Sequence, residues 1–109
     1  MSARLRAAVV VPTWNGAAYI ATALRSIEAS ASAAAHDVVV VVCDDGSTDD
    51  TVDVVAARFP RVKLLTQQHL GPQVARNLGA ESSTGDFLCF LDDDDVPDAE
   101  WLPLSLIHI

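Results

Sequence analysis

Val38-Val39-Val40-Val41-Val42-Cys43-Asp44-Asp45-Gly46-Ser47 is the stretch whose reading decides the fold. Consecutive valines suit an extended backbone, because branching at Cβ restricts χ1 in a helix and packs well on a pleated surface. The run does not alternate apolar with polar residues. That pattern predicts a strand buried on both faces, as in a parallel sheet covered by helices. The change from apolar residues to carboxylates within one position marks the strand's carboxyl end. Working outward, Ala7-Ala8-Val9-Val10-Val11, Val62-Lys63-Leu64-Leu65 and Phe87-Leu88-Cys89-Phe90-Leu91 read the same way. Helical spacing fills the intervals. Ile20, Ala23, Leu24, Ile27 and Ala31 recur at i, i+3, i+4, i+7 and i+11, and Val52, Val55, Ala56 and Phe59 repeat the spacing more briefly. A third helix opens at Gly71-Pro72, keeps Val74, Ala75 and Leu78 on one side, and stops at Gly79 or, at the latest, Gly85.

Strands alternating with helices predict an α/β fold, a Rossmann-like parallel sheet with helices on its faces. The 109 residues make one domain the expected organisation. A chain of this size buries roughly two-thirds of its unfolded surface, enough for a core without metal or disulfide staples. Half of the residues are hydrophobic, which argues against disorder. Fifteen acidic side chains stand against 7 basic ones, a formal net charge of −8. Such a surface repels phosphate backbones and argues against nucleic acid as a partner.

Cys43 and Cys89 lie inside apolar runs without CxxC or Cys/His metal spacing. They read as small hydrophobes in a reducing, cytoplasmic setting. Pro12 stops the first apolar run short of a signal-peptide core of roughly 7–15 residues, and no run approaches the ~20 residues of a spanning helix. Attachment of a longer parent protein to the inner face of a membrane stays open. Residues 102–109, Leu102-Pro103-Leu104-Ser105-Leu106-Ile107-His108-Ile109, carry no Asp, Glu, Lys or Arg. They read as an atypical tail, and the chain as a fragment of a longer protein.

Ligands of open parallel sheets bind beyond the carboxyl ends of the strands, where strand order reverses. Pro12-Thr13-Trp14-Asn15-Gly16, Asp44-Asp45-Gly46-Ser47 and Asp92-Asp93-Asp94-Asp95 each follow an apolar run. Pairing of the fourth strand with the first would bring all three into one crevice. Eleven of the 15 acidic residues fall in two groups: Asp44, Asp45, Asp49, Asp50 and Asp53, then Asp92, Asp93, Asp94, Asp95, Asp98 and Glu100. Adjacent carboxylates raise one another's pKa or recruit a cation. All-oxygen donors suit Mg²⁺ or Mn²⁺, and such an ion would let an acidic protein hold a diphosphate. A solvated acidic turn, or a set of helix-capping acids, is the bland alternative. Asp49 and Asp50 are expected to be structural, favouring the start of the second helix, with Ser47 or Thr48 as its cap. Asp44 and Asp45 come before that cap, where a carboxylate can accept a hydrogen bond from a base or ribose, Asp44 reading a pyrimidine N–H. Arg76 lies either on a solvated face or in the cleft, donating to a base carbonyl or a phosphate. His36, His69 and His108 have no ligand spacing and are assigned no role. Trp14 and Trp101 read as packing or rim residues, Trp14 lying close to the cleft.

Together these residues resemble family 2 glycosyltransferases with the GT-A, nucleotide-diphospho-sugar transferase fold. The matching segments are Val9-Val10-Val11-Pro12-Thr13-Trp14-Asn15-Gly16, Val41-Val42-Cys43-Asp44-Asp45-Gly46-Ser47-Thr48-Asp49, Gly71 with Ala75-Arg76-Asn77, and Gly85-Asp86-Phe87 leading into Phe90-Leu91-Asp92-Asp93-Asp94-Asp95. The resemblance runs from about Ala7 to Trp101. It implies that Pro12, Thr13 and Asn15 line a nucleotide site, Thr13 near the base. Asp44 would bond the uracil or other base, with Asp45 beside it and Arg76 approaching the same base. Asp92 and Asp94 would form a D-x-D element, Asp94 on the metal and Asp92 or Asp93 towards ribose or metal. Asp93 departs from the small residue usual at the middle position. The implied activity is transfer from a nucleotide-diphospho-sugar, a UDP-sugar by expectation, to a hydroxyl of a saccharide, lipid or protein. Mn²⁺ or Mg²⁺ would assist, in cell-wall or polysaccharide biosynthesis. Inverting transfer also needs a general base. In the family it comes later in the chain, and no Asp or Glu follows Glu100, so the fragment itself is expected to turn over little.

Two other classes compete. A non-catalytic nucleotide-binding fragment would share every feature except turnover. A phospho-acceptor receiver domain needs an acidic pair after its first strand and a late lysine, whereas Pro12-Thr13 ends that strand here and Lys63 is the only lysine. A dehydrogenase would need GxGxxG after the first strand, which is missing.

Overall fold

The valine run forms the second of four parallel strands in a computed structural model that describes residues 6–33, 37–83 and 85–94. The elements are β1 (Arg6–Thr13), α1 (Ile20–Ala33), β2 (Asp37–Asp44), α2 (Thr51–Arg58), β3 (Lys63–Thr66), α3 (Pro72–Ser82) and β4 (Phe87–Phe90). Strand order is β3-β2-β1-β4, with every neighbouring pair parallel. The chain therefore runs outward from β1 through β2 to β3, then returns past β1 to lay β4 on its other side. Strand order reverses between β1 and β4, where such sheets form a crevice. Asp95, Asp98, Glu100, Trp101, His36 and the tail at residues 102–109 lie outside the described residues.

Alternation along the strands sorts the side chains into two cores. Val9 and Val11 of β1, with Val40 and Val42 of β2, meet Ile20, Leu24 and Ile27 of α1 and Val55 and Phe59 at α2. On the opposite face Val10, Val41 and Cys43 meet Ala75 of α3. Burial pushes the Cys43 thiol up to about 11, against a smaller opposing pull from Lys63, so this cysteine packs rather than reacts.

The second core is thin because α3 turns small residues to the sheet. A Cβ at Gly79 would lie 2.3 Å from Val10 Cγ1 and 2.8 Å from Cys43 Sγ. Gly79 is thus a point of close helix–sheet approach, and α3 runs past it to Ser82. Its buried residues are Ala75 and Gly79, and Val74 faces solvent instead. In α2 the buried line is Thr51, Val55 and the following Phe59, displacing the expected Val52 and Ala56. Burial on both faces holds for β1 and for the carboxyl half of β2. It does not extend to β3 and β4, because both are edge strands. On β4, Leu88 and Phe90 are exposed, since α3 packs over β1 and β2. Among the described residues no helix is long and apolar enough to cross a membrane.

Candidate functional site

The site grows from the carboxyl end of β1. The offset that pairs Val10 with Phe90 continues beyond β4: Leu91 N–H donates to the Val10 carbonyl at 3.1 Å. Three residues further, the Thr13 hydroxyl donates to Asp93 Oδ2 at 2.8 Å. A side chain at Gly16 would collide with both partners of that bond. On the other side of β1, Asp45 N–H donates to the Thr13 carbonyl at 2.8 Å. Both acidic clusters are thereby joined to Thr13. Between them opens a cleft of about 370 Å³, lined by Pro12 and Thr13, by Asp45, by Arg76, and by Asp92, Asp93 and Asp94. Trp14, His69, Pro72 and Ala75 complete its wall. The volume is within the range of small-molecule sites.

Asp45 is buried at the amino end of α3. Its Oδ1 accepts from Gln67 Nε2 at 2.7 Å and Leu70 N–H at 2.8 Å, and Gly71 N–H reaches Oδ2 at 3.0 Å. His69 Nδ1 lies 2.9 Å from Oδ2. Burial pushes this carboxyl up, yet the Gln67 amide, the Leu70 and Gly71 N–H groups and His69 together hold it below the ordinary carboxylate range. It is ionised at neutral pH. Gly71 supplies its N–H from φ 106 and ψ 160, a conformation open essentially to glycine alone.

Asn15 and Asp44, expected at the nucleotide, stand outside the cleft wall. Asp44 is also buried, but its carboxylate accepts from Ser47 N–H and from the Ser47 hydroxyl. Asn15 takes a left-handed backbone, φ 51, which asparagine tolerates. Its side-chain carbonyl accepts from Thr48 N–H at 2.8 Å, and its own N–H donates to Ser47 Oγ at 2.8 Å. Both residues brace the loop after β1 against the loop after β2. This is the use Ser47 and Thr48 find in place of capping α2. The start of α2 is held instead by Asp49, which accepts from Thr51 N–H and hydroxyl and from Ala17 N–H. Asp50, at the cap position, makes no side-chain cap bond.

The second acidic cluster is uneven. Asp93 is half-buried, and burial, joined by repulsion from Asp94 and Asp92, raises its carboxyl pKa despite the Thr13 hydroxyl. Asp92 lies in the open, with Arg76 Nη2 3.7 Å from its Oδ1. So loose and exposed a pair contributes little stability, which leaves the guanidinium available to an incoming anion. Among the described residues no three acidic, histidine or cysteine side chains close into a metal cage. The donor set is nevertheless suited to a hard divalent ion that takes one or two carboxylates and completes its shell with phosphate oxygens.

His69, given no role by the sequence, and Trp14, expected as a packing or rim residue close to the cleft, both stand in its wall. Their rings stack, with centroids 4.6 Å apart and planes 25° from parallel. Isolated aromatic and histidine side chains carry no spacing signal. What could have found them is position: each follows the carboxyl end of a strand that opens on the same edge.

The sequence profile described as glycosyl transferase family 2 matches residues 8–106. The chain belongs to this family. Validoxylamine A glucosyltransferase of Streptomyces hygroscopicus is 44% identical over 88 residues, which cover 77% of this chain and 21% of that protein. S. aureus TarS in complex with UDP-GlcNAc superposes with a TM-score of 0.77 at 32% identity, covering 95% of this chain and 31% of that one. Mannosyltransferase PcManGT from Pyrobaculum calidifontis, in complex with GDP-Man and Mn²⁺, gives 0.79 at 28% identity over 96% and 32%. The family 2 chain spans about a third or less of these three proteins. The parallel sheet with interleaved helices is thus of the GT-A type.

Proposed function

We propose that the cleft is the donor site of a transferase that moves a sugar from a nucleotide-diphospho-sugar, a UDP-sugar, to an acceptor hydroxyl. The carrying observation is the crevice at the carboxyl end of β1, where its pairing with β4 and β2 and the packing of α3 gather Thr13, Asp45, Arg76 and the acids at residues 92–94 around one opening. Asp45, rather than Asp44, accepts the ring N–H of the base, because its carboxylate is the one on the cleft wall. Trp14 offers an aromatic face for stacking. Arg76 donates to the diphosphate, to which its planar fork is matched. Asp94, with Asp92, would hold Mn²⁺ or Mg²⁺; when bound, that ion offsets charge on the departing nucleoside diphosphate. Thr13 holds Asp93 back against Gly16 and so fixes the path of the acidic turn. The UDP-GlcNAc and the GDP-Man–Mn²⁺ complexes of the two structural relatives support a nucleotide-sugar and a divalent ion. The acceptor site and general base are assigned to residues beyond those described.

Calorimetry with UDP and UDP-GlcNAc, in Mn²⁺ and in EDTA, tests this. Binding is expected in Mn²⁺ only, abolished by Asp94→Asn and retained by Asp50→Asn. Equal binding in EDTA, or loss from Asp50→Asn alone, would overturn the assignment.

A further inference from the structure

The ring of His69 occupies the cleft in a particular way. It stacks on Trp14, and its Nδ1 lies 2.9 Å from Asp45 Oδ2 and 3.1 Å from the Asp45 carbonyl. Both partners are acceptors, so Nδ1 carries the proton and donates. His69 therefore presents a flat heterocycle, face on an indole and ring N–H on a buried carboxylate. These are the two contacts that a base with a ring N–H would make in the same place. The other donors to Asp45 are fixed: Leu70 and Gly71 give backbone N–H groups at the start of α3, and Gln67 is half-buried. Of the two side-chain donors, His69 is the mostly exposed one, at 57% of its side chain. Its departure takes only a side-chain rotation into solvent, with no change in the backbone. Rings 4.6 Å apart leave no room for a third ring between them, so a base can reach this face of Trp14 only when the imidazole departs.

We infer that His69 is a displaceable occupant of the base pocket, an internal stand-in that an incoming base must replace on both Trp14 and Asp45. The inference rests on the donor-site reading above and adds a displacement step to it. Replacement conserves hydrogen bonds only if the base brings a ring N–H of its own. Uracil does so at N3. Cytosine carries an unprotonated acceptor there, which would face the carboxylate after the imidazole has gone. His69 thus adds one displacement cost, the same for every base; a uracil nucleotide offsets it with its own N–H on Asp45 and a cytosine nucleotide does not.

The test has two arms on the 109-residue chain. In the first, calorimetry with Mn²⁺ compares UDP and CDP on the wild type and on His69→Ala. Removing the competitor is expected to tighten UDP binding by roughly tenfold, the size of one stacked side chain with its hydrogen bond, and CDP binding by no more than that, so that the UDP/CDP ratio holds or widens. In the second, proton NMR follows the His69 ring resonances, shielded by Trp14, with Mg²⁺ as the ion. Saturating UDP is expected to return them to unstacked positions, while CDP leaves them shielded. This arm needs only the wild type, so it decides the matter even if His69→Ala fails to fold. UDP binding to both proteins with His69 still shielded, or binding to His69→Ala that is equal or weaker, would overturn the role of His69 and leave the donor site standing. Absence of UDP binding to both proteins would overturn the two readings together.

Discussion

Gly79→Ala is the substitution that most directly tests how the fold holds the cleft. The added Cβ would sit 2.3 Å from Val10 Cγ1, 3.3 Å from Val10 Cγ2 and 2.8 Å from Cys43 Sγ. Carbon atoms in comfortable contact stand about 3.5–4.0 Å apart, so α3 must retreat by roughly 1 Å or Val10 must give way. Val10 has no exposed surface, and both of its methyls lie within 3.3 Å of the added carbon. Overpacking of this kind costs about 1–3 kcal/mol, and contacts with two separate side chains put this case near the upper end. Alanine returns up to about 1 kcal/mol through its better helix propensity. The net loss is about 2 kcal/mol, or a fall in Tm of roughly 10 °C for a domain of this size. Melting followed by circular dichroism measures it. Because Arg76 lies one turn before Gly79 on the same helix, the retreat also shifts the cleft wall, and UDP binding should weaken alongside stability. An unchanged or raised Tm would mean that propensity outweighs packing. In that case α3 does not sit on the sheet as described, and the placement of Arg76 falls with it.

Two further substitutions separate backbone conformation from charge. Gly71→Ala meets no atom within 4 Å but forces alanine to φ 106, at a cost of about 1–3 kcal/mol; Tm should drop and UDP binding weaken through Asp45, and an unchanged melt would show that the turn is not under this constraint. Asp49→Asn tests the start of α2 across pH. The Thr51 hydroxyl, helped by the N–H groups of Thr51 and Ala17 and opposed by burial, holds the Asp49 carboxyl below its ordinary 3.8. A lowered folded pKa adds stability above 3.8 that is lost as pH falls through the folded value. The variant should therefore melt a few degrees lower at pH 7, with the gap closing as the pH drops below 3.8; a gap that persists at pH 2 would assign the loss to shape rather than charge.

Much of the fold was legible because its signals are local. The valines of β1 and β2 state their burial residue by residue, and the spacing of Ile20, Leu24 and Ile27 states the face of α1. The reading failed where a residue's role depends on what lies opposite. Gly79 looks like a helix stop in sequence; only the nearness of Val10 and Cys43 makes it a contact. Val74 and Leu88 look like core, and only the reach of α3 over β1 and β2 leaves them facing solvent.

Adjacent acids at the strand end pose the same problem in its sharpest form. Asp44 and Asp45 are equivalent in composition, and successive residues of a strand point to opposite faces. Asp44 continues the series Val40 and Val42 and turns towards the α1 and α2 side, where Ser47 takes it. Asp45 continues Val41 and Cys43 and turns towards the α3 side, where Gly71, Leu70 and His69 meet it. Which acid enters the cleft is therefore decided by which face α3 covers, a fact held in the connection from β3 to β4 and not in the dipeptide. The period of two narrows the question to one binary choice, and the placement of a single helix answers it. His69 follows by the same logic. It reaches Asp45 because the segment after β3 must cross the carboxyl edge of β2 before α3 can begin. Any side chain at that crossing is a neighbour of the acid on the α3 side, and here the crossing places the His69 ring on Asp45 and on Trp14.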